Sequence, residues 1–556
     1  MTDRLRIALA QLNPTVGAIQ ANFALAKEAL DKAEAAKADI LLFPELCLTG
    51  YFPDDLLFKP QFVADAIAAA KALAKLSRDT GVSLLIPTIW REGDKLYNAV
   101  VLAEDGAVLD VRFKHDLPND DVFYEKRYFT AGPLPEPLTV CGVRIGVPIC
   151  EDIWWTPVCA ALQEAGAEML LCPNGSPYWR DKHHVRRELV RARIKETGLP
   201  LIYLNQVGGQ DELVFDGASF GMDASGELVL EGESFKSDFI VSDWEKTGDT
   251  WACVAGPKLD LVSVDEAPWR ACVLGLRDYL RKNGFKQVVL GLSGGIDSAV
   301  VAAIAVDAVG PQNVHCIMLP YRYTSKESLK DAEDCARLLG VRYDVVAIGG
   351  PVDAALGELQ PVFGDHTEGL TEENIQSRMR GTMLMAISNK LGSMLLTTGN
   401  KSEMAVGYAT IYGDMNGGFN PIKDQLKMQV YHLAAWRNAH MPDDCFGPEG
   451  TVIPQAIISK APSAELRPDQ TDQDSLPPYP VLDAILVAMI EEELSVAEIV
   501  AKGFERDLVK RIEKLVNIAE YKRRQSAPGV KLTPKAFGQG RKYPITNGYR
   551  DETGSK

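Results

Sequence analysis

The chain has 556 residues, 46% of them apolar and 24% charged, and a formal net charge of −17. That length exceeds what one hydrophobic core usually serves, so at least two domains are expected in a protein of ordinary globular composition. No window approaches ~18 uninterrupted apolar residues, which argues against a membrane span, and the acidic balance opposes non-specific adhesion to nucleic acid.

The expected partners are therefore small molecules, with neither nucleic acid nor membrane among them. The ten cysteines are scattered singly, with no CxxC pair and no metal-ligand spacing to the seven histidines, so neither a disulfide framework nor a structural zinc is suggested. The amino end, "MTDRLRIALAQLNP", carries no basic leader followed by an apolar stretch and reads as a strand beginning almost at once. A cytoplasmic protein with reduced thiols is expected.

Short apolar runs alternate with longer helical ones, without internal repeats, which indicates an α/β architecture. The first strands are "RIALAQL", "ADILLFPE", "SLLIPTI", "NAVVLA", "VLDVRF", "VRIGVPIC", "AEMLLCP" and "PLIYLNQV". Between the first two lies "AIQANFALAKEALDKAEAAKA", a strong helix former with an apolar stripe. Three of these strands deliver a reactive side chain at or just past their carboxyl ends: Glu45, Lys114 and Cys150. Taken singly, each has an ordinary reading, the cysteine as a small core residue and the two charges as strand closers. Together they supply a thiolate to attack an amide carbon, a carboxylate to carry its proton, and an ammonium to stabilise the oxyanion.

The first domain is expected over residues 1–250 and a connector over 251–267, where the periodicity lapses and prolines appear. A second domain over 268–556 opens on the helix "APWRACVLGLRDYLRKNG", with Pro268 in its first turn and Asn283-Gly284 as its stop. Next comes "KQVVLGLSGGIDSAV". An apolar strand turns through Ser293-Gly294-Gly295 into a helix starting near Asp297-Ser298, which aims backbone N–H groups and the positive end of a helix dipole at one hollow. Such a hollow suits phosphate, and the missing Gly-Lys-Ser/Thr ending disfavours Walker-type chemistry. A doubly wound parallel sheet is expected around it.

Farther on, "LTEENIQSRMRGTMLMAISNK" reads as a helix with Thr371 as its cap and Glu372 and Glu373 in its first turn. Arg378 and Arg380 are roughly 200° apart on such a helix, so at most one faces a ligand, and Arg378 is preferred. Thr398 and Asn400 lie in a polar turn after an apolar run, where such residues are also common for turn reasons alone. Lys522-Arg523-Arg524 is by default a solvated helix face. The segment "SAELRPDQTDQDSLPPYP" is longer than a mere connector and is expected to close over a reactive intermediate and exclude water.

The Glu-Lys-Cys order, within "FPE", "KHDLPN" and "ICED", resembles the nitrilase superfamily of carbon–nitrogen hydrolases over roughly residues 4 to 245. The resemblance implies a four-layer αββα sandwich, with Cys150 as nucleophile, Glu45 as base and Lys114 as oxyanion partner. Glu125 falls where that superfamily often has a second glutamate orienting the lysine, and Ser176 and Lys182 fall where the amide substrate binds. Relatives commonly read "LPNY" where this chain has "LPND", so Asp120 either binds a substrate α-ammonium or faces water. "SGGIDS" after an apolar strand resembles the pyrophosphate loop of the N-type ATP pyrophosphatases.

The two together resemble the glutamine-dependent NAD synthetase family, as do "TTGNKSEMAVGY" and "EYKRRQSAPGVKLTPKAFG". That resemblance implies amidation of nicotinate adenine dinucleotide through an adenylated carboxylate, with ammonia from glutamine; a homo-oligomer is expected, although the sequence does not specify an oligomeric state. Gly291, Leu292, Ser293, Gly294, Gly295, Ile296, Asp297, Ser298, Thr398 and Lys427 would contact ATP. Asn374, Arg378, Glu403 and Lys522 would contact the dinucleotide, and Asp297 and Glu403 would hold Mg²⁺. Other amide-forming enzymes of the loop family fit less well: GMP synthetase resembles a glutaminase with a Cys-His-Glu triad, and asparagine synthetase needs cysteine where Thr2 stands. Cysteine pairs and a basic surface, which would favour a tRNA-thiolating enzyme, are not visible.

Overall fold

Strand Arg4–Gln11 is buried over most of its length, and its alternate side chains serve two different cores. The computed structural model describes residues 3–554 apart from 368 and 469. The strand lies inside a seven-stranded sheet in the order Thr250–Ala255, Asp238–Thr247, Arg4–Gln11, Ile40–Leu42, Ser83–Glu92, Lys95–Glu104, Ala107–Phe113. Leu5, Ile7 and Leu9 point to one face, together with Ile40, Leu42 and Val100, and meet Ile145, Met169, Leu171 and Ile202 of a second sheet. Ala8 and Ala10 point the other way, into a cluster with Ala26, Leu30, Val63 and Leu73 of helices Ile19–Ala35 and Pro60–Leu76.

The second sheet has six strands, in the order Leu228–Glu231, Phe220–Met222, Leu201–Asn205, Met169–Asn174, Val143–Gly146, Leu138–Val140. Its outer face carries Leu170, Cys172 and Tyr203 against Val158, Leu162, Val190 and Ile194 of helices Thr156–Glu164 and Lys182–Thr197. The result is the expected αββα sandwich. Burial on both faces explains why its central strands read as continuous apolar runs rather than alternating ones.

The connector expected from 251 begins later than the sequence suggested. Strand Thr250–Ala255 pairs antiparallel with Asp238–Thr247, Thr250 opposite Thr247. Trp251 is buried between the sheets and Cys253 packs against the same core, so a period-2 pattern persists up to Gly256. The chain divides into compact units Met1–Ser263 and Val264–Lys556.

The second unit is built on four parallel strands in the order Arg342–Val345, Val314–Met318, Val288–Gly291, Met394–Leu395. Val289, Ile317 and Leu395 face Val352, Ile375 and neighbouring apolar side chains of helices Gly349–Phe363 and Leu370–Leu391. Helix Ile296–Val309 also packs on the two central strands and is buried almost all round, lying against helices Ala267–Lys282 and Lys427–Ala439. The expected start and stop of Ala267–Lys282 hold, with Pro268 in the first turn and Asn283 as the cap. Thr371 is not the cap of Leu370–Leu391; Gly369 is, and its N–H donates to the Glu372 carboxylate at 2.5 Å. The first-turn glutamate satisfies the end of the helix in place of a threonine hydroxyl. No helix among the described residues is long and apolar enough to cross a membrane.

One buried ion pair ties these helices together. Arg437 donates to Asp307 at 2.7 and 3.0 Å, and Trp269 donates its indole N–H to the same carboxylate at 2.9 Å. Both charged side chains are at most 1% exposed. Removing one partner leaves an uncompensated buried charge, so Asp307→Ala is expected to destabilise the second unit by about 3–5 kcal/mol. A guanidinium titration checks this as an early shift of that unit's transition, with the first unit's transition unchanged.

Two candidate active sites

In the first unit the three reactive residues come together because three strands end near one point. Glu45 follows Ile40–Leu42, Lys114 follows Ala107–Phe113 directly, and Cys150 opens the short turn Cys150–Ile153 after Val143–Gly146. Glu45, Lys114 and Glu125 are fully buried and Cys150 is 5% exposed. The Lys114 ammonium donates to Glu45 at 2.7 Å and to Glu125 at 2.8 Å. Burial alone would lower the lysine's pKa, but Glu125 and Glu45 hold it well above the ordinary value, so the group stays charged.

Both Glu45 oxygens are fixed: one accepts from Asn98 at 2.8 Å as well as from Lys114, and the other accepts from the Gly175 N–H at 2.9 Å. Tyr51 donates its hydroxyl to Glu125 at 2.8 Å. Burial, reinforced by the Glu45 charge, raises the Cys150 thiol well above its usual range against the opposing pull of Lys114. The resting thiol is protonated and needs a base to become a nucleophile. Cys150 also has φ of +47°, a left-handed conformation that a β-carbon resists, which fits a side chain held at a sharp turn out of a strand.

Ser176 is buried one residue beyond the Gly175 contact. Its hydroxyl accepts from Arg186 at 3.2 Å, and Arg186 in turn grips Asp216 at 2.8 and 2.9 Å. Lys182 starts helix Lys182–Thr197 with its ammonium over the rings of Trp154 and Trp179, at 4.5 and 5.0 Å. Asp120 is exposed on the bend after Pro118. Its charge helps burial push the carboxyl of Glu151, the residue after Cys150, up to about 7. Tyr51, Asn98 and Glu151 were not foreseen, since nothing in their local sequence separates them from ordinary loop and strand residues.

In the second unit a cavity of about 300 Å³ opens where Val288–Gly291 turns into Ile296–Val309. Every residue from Gly291 to Ser298 except Gly294 lines it, together with Thr398, Glu403 and Lys427. Not every loop N–H faces the hollow: Ser293 donates to the Ser298 hydroxyl at 3.2 Å and Gly295 to the Ser293 hydroxyl at 3.3 Å, so these two hold the loop itself. The Lys427 ammonium bridges Asp297 at 2.5 Å and Glu403 at 3.1 Å, and Asn400 donates to the other Asp297 oxygen at 2.8 Å. Burial raises the Glu403 carboxyl to about 8, with Lys427 opposing and Asp297 reinforcing the shift.

Two carboxylates on a phosphate-sized hollow suit Mg²⁺, which takes one or two carboxylates and completes its shell with phosphate oxygens and water.

The preference for Arg378 is not supported at this cavity. Arg380 lines it, donating to the Leu319 carbonyl at 3.0 Å with its pKa lowered by burial to about 10, whereas Arg378 is exposed. Asn374, Arg378 and Lys522 instead converge on one neighbouring segment. Asn374 accepts from Thr410 at 2.9 Å, Arg378 donates to the Ile411 carbonyl at 3.3 Å, and Lys522 donates to the Gly407 and Ala409 carbonyls at 2.8 and 2.7 Å. Tyr408 and Ala409 from that segment line the cavity, as do residues 460–466 and Asp472 from the long proline-rich stretch and its lead-in.

Gly294 has φ of +80°, and a β-carbon there would stand 2.4 Å from the Ser328 carbonyl oxygen. Gly294→Ala therefore combines left-handed strain of about 1–2 kcal/mol with a clash that displaces the loop. Affinity for a nucleoside triphosphate, measured by calorimetry, is expected to fall more than tenfold while the first unit's thermal transition stays in place.

Comparison with known proteins assigns a family to each unit. The chain matches the family model for carbon–nitrogen hydrolases over residues 6–247 and the model for NAD synthase over residues 268–526. A glutamine-dependent NAD(+) synthetase of Rhodobacter capsulatus is 54% identical over 553 residues, 100% of both chains. A solved structure of glutamine-dependent NAD+ synthetase from Acinetobacter baumannii, in complex with adenosine diphosphate, is 40% identical, covers 99% of each chain and has a TM-score of 0.78. The corresponding structure from Cytophaga hutchinsonii, 23% identical over 98% of each chain with a TM-score of 0.82, shares the fold. With a relative this similar over its whole length, the chain belongs to the glutamine-dependent NAD(+) synthetase family.

Proposed function

We propose that this chain amidates nicotinate adenine dinucleotide to NAD, consuming ATP and taking its nitrogen from glutamine. The observation that carries this reading is the presence in one chain of a buried Glu-Lys-Cys constellation and a phosphate-loop cavity, in the order the family has them. On the glutamine side, Glu45 takes the Cys150 proton and the thiolate adds to the amide carbon. Lys114 stabilises the oxyanion, and collapse expels ammonia carrying the proton that Glu45 returns. Water, deprotonated by Glu45, then cleaves the thioester and releases glutamate. Ser176 and Lys182 receive the substrate, while the exposure of Asp120 favours its water-facing alternative.

On the synthetase side, the dinucleotide carboxylate attacks the α-phosphorus of ATP and pyrophosphate leaves into the hollow from Gly291 to Ser298. Asp297 and Glu403 would hold Mg²⁺, which when bound would neutralise charge on the departing phosphates. Lys427, 2% exposed between those carboxylates, lines the same cavity to contact ATP phosphates, as does Thr398. Asn374, Arg378 and Lys522 shape the 407–411 segment toward the dinucleotide. Ammonia attacks the acyl adenylate and AMP departs. Near neutral pH free ammonia is mostly ammonium, which has no lone pair to attack with, so production and use by one chain preserves the nucleophile.

A cytoplasmic setting is supported by ten cysteines without a disulfide.

Cys150→Ala and Asp297→Ala divide the chemistry. Cys150→Ala is expected to lose glutamine-dependent NAD formation by several orders of magnitude and to keep a near-parental rate with high ammonium at alkaline pH. Asp297→Ala is expected to lose synthesis from both nitrogen sources while still hydrolysing glutamine. Assays of NAD, AMP and glutamate check this; glutamine use by Cys150→Ala, or near-parental NAD synthesis by Asp297→Ala with saturating ammonium, would contradict the reading.

A further inference from the structure

We infer that Asp152 is a positioning residue for glutamine hydrolysis, clamping the loop that carries Lys114 to the loop that carries Cys150. The inference rests on the catalytic reading of Glu45, Lys114 and Cys150 given above. Asp152 is 1% exposed. One of its oxygens accepts from the backbone N–H groups of His115 at 3.0 Å and Asp116 at 2.7 Å, the two residues that follow Lys114. The other accepts from the N–H of Ile149, the residue before Cys150, at 2.9 Å. A single carboxylate thus takes three directional hydrogen bonds from two separate segments.

The two segments leave different sheets. Lys114 follows the strand Ala107–Phe113 of the seven-stranded sheet, and Cys150 follows Val143–Gly146 of the six-stranded one. Backbone bonds from Lys114 to Asn98 at 2.9 Å and from Gly132 to Lys114 at 2.8 Å hold the lysine within its own layer. Most of the contact between the layers is a cluster of apolar side chains, and such packing has no preferred direction at the scale of tenths of an ångström. Three hydrogen bonds from fixed backbone N–H groups do. They set where the ammonium stands relative to the thiol, a distance on which oxyanion stabilisation depends steeply, since a misplacement of about 1 Å can cost on the order of 100-fold in rate. His115 is tied back as well, its ring nitrogen 2.8 Å from the Gly132 carbonyl, so the segment pulled by Asp152 is stiff enough to carry the constraint to Lys114.

Asp152→Asn tests this in the full-length enzyme. The amide keeps one acceptor oxygen and presents N–H groups in place of the other, so whichever way it turns it opposes either Ile149 or the His115–Asp116 pair with a donor. Glutamate release is expected to fall about 100-fold in kcat, with KM for glutamine within about threefold, because the lysine acts on the oxyanion and not on the bound amide. Ammonium-dependent NAD synthesis is expected to be unchanged.

Asp152→Ser is measured beside it, because a donor facing donors can unfold the loops. The hydroxyl introduces no misdirected amide yet is too short to span both segments, so the same kcat-specific loss is expected with a first-unit melting transition close to the parent's. Cys150→Ala is the reference. If it hydrolyses glutamine, the reading of the site fails; if it is inactive while Asp152→Ser retains parental kcat, the clamp alone is overturned. A loss in both Asp152 variants that only follows the unfolded fraction, or a rise in KM at constant kcat, also overturns it.

Discussion

A fully buried ammonium between two fully buried carboxylates is the constraint around which the first unit is arranged. Lys114 touches Glu45 and Glu125 at 2.7 and 2.8 Å, and none of the three side chains is exposed. Taking three charges out of water is costly, and it is offset only when each remaining polar atom meets a partner in good geometry. Asn98, Tyr51 and the Gly175 N–H are those partners, and each belongs to a different part of the chain. The layered core is what brings them together: the strands of the two sheets place Asn98 within one strand and deliver Glu45, Lys114 and the Gly175 N–H where strands end.

The second unit repeats the motif of one lysine between two carboxylates, with a different degree of closure. Lys427 is buried, but Asp297 and Glu403 keep 16% and 17% of their side chains exposed and line a cavity. Sealed, such a triad holds fixed charges where a transition state will need them. Open to a phosphate-binding hollow, it leaves acidic oxygens available to an incoming cation and an ammonium available to an incoming anion. Depth of burial thus separates the two lysine triads, although the residue types are the same.

The local signals were the reliable ones. Strand ends bearing Glu45, Lys114 and Cys150, and the Ser-Gly-Gly turn before an apolar helix, are visible because glycine, strand length and reactive side chains act over a few residues. Boundaries were weaker: the strand Thr250–Ala255 escaped detection because its edge position leaves only part of it buried, so its alternation is faint. The helix cap at Gly369 escaped because a glutamate three residues on can replace a capping side chain. The choice between Arg378 and Arg380 turned on which side of one helix faces the cavity, and a weakly amphipathic sequence does not announce that.

By itself, the sequence determined the α/β class, two successive units, the strand ends that carry Glu45, Lys114 and Cys150, and a glycine turn leading into the helix of Asp297 and Ser298, because each rests on a short run of residues or on the pattern of a whole family. Tertiary structure alone decided that Asn98 and Tyr51 complete the Lys114 cluster, that Asp152 joins the segments beside Lys114 and Cys150, and that Asn374, Arg378 and Lys522 gather on residues 407–411. These groups are separated by tens to more than a hundred positions along the chain. Their meeting is set by how strands order within a sheet and how layers pack, and apolar packing of that kind leaves no trace in the residues immediately around each polar group.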